Sequence, residues 1–228
     1  MRILTNSGGF VKSAACFGFA LVLCCVQTGV GHASPLAPGG SISAPGETDP
    51  AGATVFFTTN ATFASTSFSG ILTSSVLVGD TSNPYGPGCL TFTYELVLNS
   101  LSPDAASAFS VGSFNGFLTD VSYQTPGIGL APGLISRSPT GSQAVKFDFS
   151  SVGYLLPGQN SAILVIQTDA TAYDLGTSTV FDNTGSPNVT AVVPGTIHPV
   201  PEPAGITFIL LGISTLVCSW RIKKGGKL

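Results

Sequence analysis

The sequence predicts an all-β protein, an antiparallel β-sandwich body set between an apolar N-terminal segment and an apolar C-terminal one. Three observations carry that expectation. Apolar and polar residues alternate in two interior stretches, and 28 Gly and 16 Pro punctuate 228 residues into short pieces. Only 8% of residues are charged against 43% hydrophobic, where a soluble domain has roughly 25% charged. Frequent turn formers favour short strands over long helices, and so little charge leaves a surface of Ser, Thr, Asn and Gly.

The N-terminus has the form of a secretory signal. Arg2 and Lys12 supply a sparse positive region, and residues 13–26 (SAACFGFALVLCCV) form an apolar run of the length of an h-region, about 7–15 residues, and short of the roughly 20 needed to span a bilayer. Gly31 and Ala33 place small residues where a signal peptidase inspects the chain, so cleavage is expected between Ala33 and Ser34. An uncleaved anchor or a buried helix is the alternative. A lipoprotein is excluded because Leu23, not a small residue, precedes Cys24.

The C-terminus carries a second signal. Residues 204–220 (AGITFILLGISTLVCSW) contain no charge, and as a helix they reach about 26 Å, enough for a thin membrane. Trp220 stands where an interfacial aromatic anchors a span, and Arg221, Lys223, Lys224 and Lys227 hold the tail 221–228 in the cytoplasm. Pro203 is tolerated in the first helical turn, where its missing N–H has no intrahelical partner.

Val200, Pro201, Glu202 and Pro203, followed by an apolar helix and a basic tail, resemble the PEP-CTERM sorting domain that exosortases recognise in diderm, biofilm-forming bacteria. The resemblance covers 200–228, and the tail departs from the Arg-rich pattern by carrying one Arg and three Lys. It implies signal peptidase, the general secretion machinery and an exosortase as partners. It also implies residence in the inner membrane with the C-terminus cytoplasmic, then release into the envelope or extracellular polymer. A single-pass anchor behind a Pro-rich stalk is the plainer alternative. The stretch 155–183 is also similar to the closing strands of many proteins of that class.

Between the signals, residues 34–51 read as a Pro-, Gly- and Ser-rich unstructured leader, 52–192 as the sandwich and 193–199 as a Pro-rich linker. Leu90, Phe92, Tyr94, Leu96 and Leu98 alternate with mostly polar neighbours, as do Val145, Phe147 and Phe149, so both stretches are half-buried strands. The short, continuously apolar 162–166 suits a strand buried on both faces. Further strands are expected at 54–63, 68–78, 117–123 and 177–181, with turns at 83–86, 126–127, 157–160 and 183–185.

The inventory limits the chemistry. His32 lies in the signal peptide and His198 in the linker, so the body can build neither a His-based triad nor a multi-His metal site. Cys16, Cys24, Cys25 and Cys218 lie in the apolar termini, which leaves Cys89 alone, a small core residue rather than half of a bridge. No catalytic residue, metal ligand or cofactor is assigned, and the body is expected to fold without metal or disulfide. Ten carboxylates against Arg137 and Lys146 leave residues 34–199 at −8, which disfavours nucleic acid. Asp148, Asp169, Asp174 and Asp182 could hydrolyse a glycosidic bond as a pair or bind Ca²⁺ only if the fold gathered them; turn aspartates ordinarily bond their own backbone. Gly127-Ile128-Gly129 reads as a loop, and the Asn60 and Asn188 sequons as chance. Two roles remain. One is a structural or adhesive surface protein of the matrix. The other is a carbohydrate-binding or carboxylate-pair sandwich, for which Tyr85, Tyr123, Tyr154 and Tyr173 should share an exposed face.

Overall fold

The computed structural model describes residues 34–182, 184–195 and 198–199. The expected signal peptide (1–33), sorting motif, span and basic tail (200–228) lie outside the described residues. In chain order the strands are β1 (Ser34–Pro35), β2 (Ser41–Ser43), β3 (Gly46–Glu47), β4 (Thr54–Ala64), β5 (Ser69–Val78), β6 (Thr91–Leu98) and β7 (Ala108–Val111). They continue with β8 (Thr119–Gln124), β9 (Leu134–Arg137), β10 (Val145–Asp148), β11 (Leu164–Thr168), β12 (Ala172–Phe181), β13 (Asn188–Pro194) and β14 (His198–Pro199). The described residues include one 3₁₀ turn, Ser150–Val152, and no α-helix.

The strands form two seven-stranded sheets, an all-β, sandwich-like architecture. The first runs β1-β8-β11-β6-β5-β4, with β3 also on β8; the second runs β13-β12-β7-β10-β9-β2, with β14 also on β12. Neighbours are antiparallel except β3 with β8. Cross-strand register sets the faces: Ile166 lies opposite both Phe92 and Val121, and Leu164 opposite Tyr94, so these side chains share the inner face. Phe109, Phe147, Ile135 and Val180 share one face of the second sheet. All are buried in one core, each contributing about 1.5–3 kcal/mol by leaving water. Tyr94 brings its ring to Phe109 at 5.4 Å and donates its hydroxyl to Val192 O at 2.8 Å. Val192 N–H in turn donates to Ser74 Oγ at 3.2 Å, so polar bonds tie the layers together inside the apolar core.

The strands expected at 54–63, 68–78, in the 90–98 alternation and at 117–123 appear as β4, β5, β6 and β8, and the Val145 stretch as β10. That expected at 177–181 begins five residues earlier, at Ala172, because Tyr173 packs on Phe57 and extends the hairpin with β13.

The two flanking segments differ from expectation. Residues 34–51 are not an unstructured leader: β1 pairs with β8, β2 with β9 and β3 with β8, and Leu36 is buried. Composition misled here because these Pro and Gly residues sit between very short strands rather than in open chain. Residues 193–199 are likewise not simply a linker, since Val193 and Pro194 belong to β13 and β14 pairs with β12. Pro194 occurs at the last residue of a sheet-edge strand, where a missing N–H is tolerated.

The N-terminal segment also explains β11, all five residues of which are buried. After β3 the chain must reach β4 at the opposite edge of the same sheet, five strand spacings away, about 24 Å at ~4.8 Å each. Seven Cα steps from Glu47 to Thr54 cover about the same distance when extended. Residues 48–53 therefore cross the outer face of the first sheet as a strap. Ala51 N–H donates to Asp80 Oδ1 at 3.0 Å, Thr81 N–H to Ala51 O at 2.9 Å, and Pro50 shares a groove with Leu77, Thr93 and Gln124.

Candidate functional site

Beneath the strap lies the one concentration of buried acids among the described residues. Asp120 on β8 faces outward, directly opposite Gln167 on β11, and Ser122 follows two residues later on the same face. In an open sheet these positions would be wet; here Asp120 is 2% exposed, Ser122 1% and Gln167 0%. The strap adds Glu47, held by the pairing of β3 with β8, and Asp49, 2% exposed.

The carboxyls act on one another. Burial first, then hydrogen bonding to and the charge of Asp49, then the charge of Asp120, push Glu47 up to about 7. Asp120 is also pushed up to about 7, by burial, with Val121 N–H opposing and Asp49 adding to it. Neither cation of the body offsets them. Lys146 pairs with Asp148 at 3.0 Å. Arg137 gives its two terminal nitrogens to Leu36 O, Thr119 Oγ1, Phe114 O, Phe117 O and Gln143 Oε1.

A second buried carboxylate lies beside this group with the opposite electrostatics. Asp80, 0% exposed, lies two residues after β5 and opens the turn that Asn83 N–H closes on its carbonyl. Its Oδ1 accepts from the N–H groups of Ala51 and Ser82, each at 3.0 Å, and from the Ser82 hydroxyl; its Oδ2 accepts from Thr91 Oγ1 at 2.6 Å and Gln167 Nε2 at 2.9 Å. Burial raises its pKa, but the bonds from Ser82, Thr91, Gln167 and Ala51 outweigh burial and hold it below the ordinary carboxylate range. Asp80 thereby fastens the middle of the strap to β6 and β11.

The four aspartates considered from the sequence do not converge. Asp169 precedes β12 and Asp174 lies near its start, whereas Asp182 follows its end, some 26 Å away along the strand. Asp148 and Asp174 are engaged locally, with Ser150 and Lys146 and with Leu175 N–H, whereas Asp169 accepts from the distant Leu118 N–H and Asp182 from Ser67 as well as from Thr184 and Gly185. Among the described residues no group of three or more His, Cys, Asp or Glu side chains is arranged to hold a metal ion.

The four tyrosines do not form an exposed platform: Tyr173 is buried against Phe57, Tyr85 and Tyr123 are half-buried, and Tyr154 is exposed. Cys89 is free, half-buried, and donates to Tyr85 O at 3.3 Å. Gly129 of the Gly127-Ile128-Gly129 stretch has φ +105°, and a Cβ there would lie 2.3 Å from the Ser161 carbonyl oxygen, so glycine serves a close backbone approach. Ser34, which follows the expected cleavage point, lies in β1; Gly31, Ala33, the expected sorting residues Val200 to Pro203 and the basic tail lie outside the described residues. Among the described residues no helix is long and apolar enough to cross a membrane.

Sequence reasoning passed over the acids under the strap because each looks ordinary alone. The available signal was Asp120 and Ser122 in alternation within a strand; the opposing Gln167 and the covering Glu47 and Asp49 depend on register and on a strap that composition hides. The chain matches no protein-family model, no curated protein and no solved structure.

Proposed function

We propose that this is an exported bacterial protein, held in the inner membrane by its C-terminal span and then processed by an exosortase, whose all-β body serves a structural or adhesive role at the cell surface or in the extracellular matrix. The observation that carries the reading is the order of Val200-Pro201-Glu202-Pro203, an uncharged run of 17 residues at 204–220, and four basic residues in the last eight. In a span with a cytoplasmic basic tail, that motif stands at the outer face of the membrane, and its prolines keep it extended for a protease.

The body supports the structural half of the reading through its edge. β4 is an eleven-residue edge strand, TVFFTTNATFA, paired on one side with β5. It carries no charge, Pro or Gly, the features that ordinarily blunt such edges. Val55 and Phe56 on it are exposed. Such an edge suits pairing with a second copy, as a matrix component requires. The test of sorting is Glu202→Ala in an exosortase-positive host. The variant accumulates as a full-length membrane form while the wild type leaves the membrane fraction; equal release of both proteins overturns the reading.

A further inference from the structure

One row of side chains crosses the outer face of the first sheet. Asp120 on β8 stands directly opposite Gln167 on β11, and Gln167 directly opposite Thr91 on β6, so all three project from the same face. Opposed Cβ atoms in such a row lie about 5 Å apart. Thr91 and Gln167 are 0% exposed and Asp120 2%; Asp80, also 0% exposed, reaches the row from the turn after β5.

A single oxygen of Asp80 serves both Thr91 and Gln167. Its Oδ2 accepts from Thr91 Oγ1 at 2.6 Å and from Gln167 Nε2 at 2.9 Å. Gln167 Nε2 also donates to Ser82 Oγ at 3.0 Å, which fixes the amide and leaves its Oε1 on the edge away from Asp80. That Oε1 is buried without a hydrogen-bond partner, and so is Oδ1 of the opposed Asp120. Buried polar atoms are overwhelmingly partnered, and a protonated Asp120 carboxyl supplies the donor that both oxygens lack. The two aspartates differ in the matching sense. Burial raises Asp80, but its hydrogen bonds outweigh burial and hold it below the ordinary carboxylate range, whereas burial pushes Asp120 up to about 7. An ionised carboxylate on a hydroxyl and a protonated one across from an amide are the base and acid of an acyl transfer.

We propose that Thr91 and Gln167 join in an intramolecular ester, a covalent link between β6 and β11 that the folded chain makes by itself. Thr91 Oγ1 attacks Gln167 Cδ and passes its proton to Asp80 Oδ2, while Asp120 lends a proton to Oε1 as charge develops there. When the tetrahedral centre collapses, the Cδ–Nε2 bond breaks. Nε2 takes the proton held on Asp80 Oδ2 and leaves as ammonia, and Oε1 returns its proton to Asp120. One C–O bond replaces one C–N bond, so the balance needs no oxidant or reductant. The structure presents the reactants: Asn83 Nδ2 donates to Thr91 Oγ1 at 3.3 Å and leaves the hydroxyl its second lone pair for attack. Complete burial keeps out the water that hydrolyses esters. The link locks two neighbouring inner strands of the first sheet, and it does not depend on the sorting reading.

Trypsin cuts the body after Arg137 and Lys146, between Thr91 and Gln167, so in a denatured digest the two residues part unless they are joined. Full-length protein purified in detergent is expected to yield one product containing both, lighter than its two peptides together by one molecule of ammonia. Mild hydroxylamine, which cleaves esters and spares amides, is expected to separate it. Thr91→Ser retains the joined product. Thr91→Val, which keeps the shape and removes the nucleophile, and Asp80→Asn, which removes the base, give two free peptides. Free peptides of full mass from the wild type, a product that withstands hydroxylamine, or a joined product in Thr91→Val overturns the proposal.

Discussion

Asp80→Ala tests the reasoning about the strap most sharply. The wild-type carboxylate is fully buried and receives Ala51 N–H, Ser82 N–H, the Ser82 hydroxyl, Thr91 Oγ1 and Gln167 Nε2. Ser82 lies in a turn and can swing to water; Thr91 and Gln167 are 0% exposed and cannot. A buried donor left without its acceptor costs about 1–3 kcal/mol, so the substitution is expected to cost about 3–5 kcal/mol, the range for breaking a buried charged network. For a chain of this size, 1 kcal/mol moves the midpoint by about 2–4 °C, which predicts a fall of about 6–20 °C in a far-UV circular dichroism melt. The loss has a defined pH signature. A carboxyl whose folded pKa is depressed contributes stability present above its unfolded value, about 3.9, and lost as pH falls through the folded value. The gap between wild type and Asp80→Ala is therefore constant from pH 6 to 7.5 and narrows below about pH 4. A midpoint within 2 °C of the wild type at pH 7 would refute the claim that Asp80 fastens the strap.

Four further outcomes are expected. The midpoint falls as pH rises from 4.5 to 8, because Glu47 and Asp120, near 7 in the folded chain against about 4 unfolded, make the folded state bind more protons there; a flat profile contradicts the burial assigned to them. Arg137→Lys replaces a fork with five acceptors by a three-donor ammonium, and a loss of about 2–3 kcal/mol in urea unfolding is expected. Gly129→Ala meets the Ser161 backbone at positive φ, and a cost of about 1–3 kcal/mol is expected in the same assay; no change would place that loop elsewhere. Thr58→Lys with Thr62→Lys charges the exposed face of β4 and is expected to weaken self-association in sedimentation velocity, whereas unchanged association removes β4 from the assembly.

Much of the fold was legible because alternation reports a half-buried strand directly. Leu90 to Leu98 and Val145 to Phe149 each put one residue type on each face, and the register of β6 with β11 and of β10 with β7 follows that division. The continuous apolar run at 162–166 announced a strand buried on both faces, which lies two residues later at Leu164–Thr168, but not what buries it. The strap was hidden because its Pro, Gly and Ser residues look the same whether the chain is free or laid across a sheet. The equally short β7 and β9 escaped, unlike β10, because their residue types do not divide by face: β9 buries Arg137 and exposes Leu134, and β7 (AFSV) buries all but Ser110. The candidate site was illegible for a related reason: Glu47, Asp49, Asp120 and Gln167 come from three segments, and only the pairing of β8 with β11 and β3 brings them together.

The central claim, that this chain is exported and then cut at its C-terminal motif, is tested most directly by the intact mass of the protein recovered from the extracellular fraction of exosortase-positive cells. The account predicts a species beginning at Ser34 and lacking the residues beyond about 203, since signal peptidase removes the first segment and the exosortase the span. Recovery of the protein from the inner membrane with residues 204–228 still attached would contradict it, and would leave a plain single-pass anchor in its place.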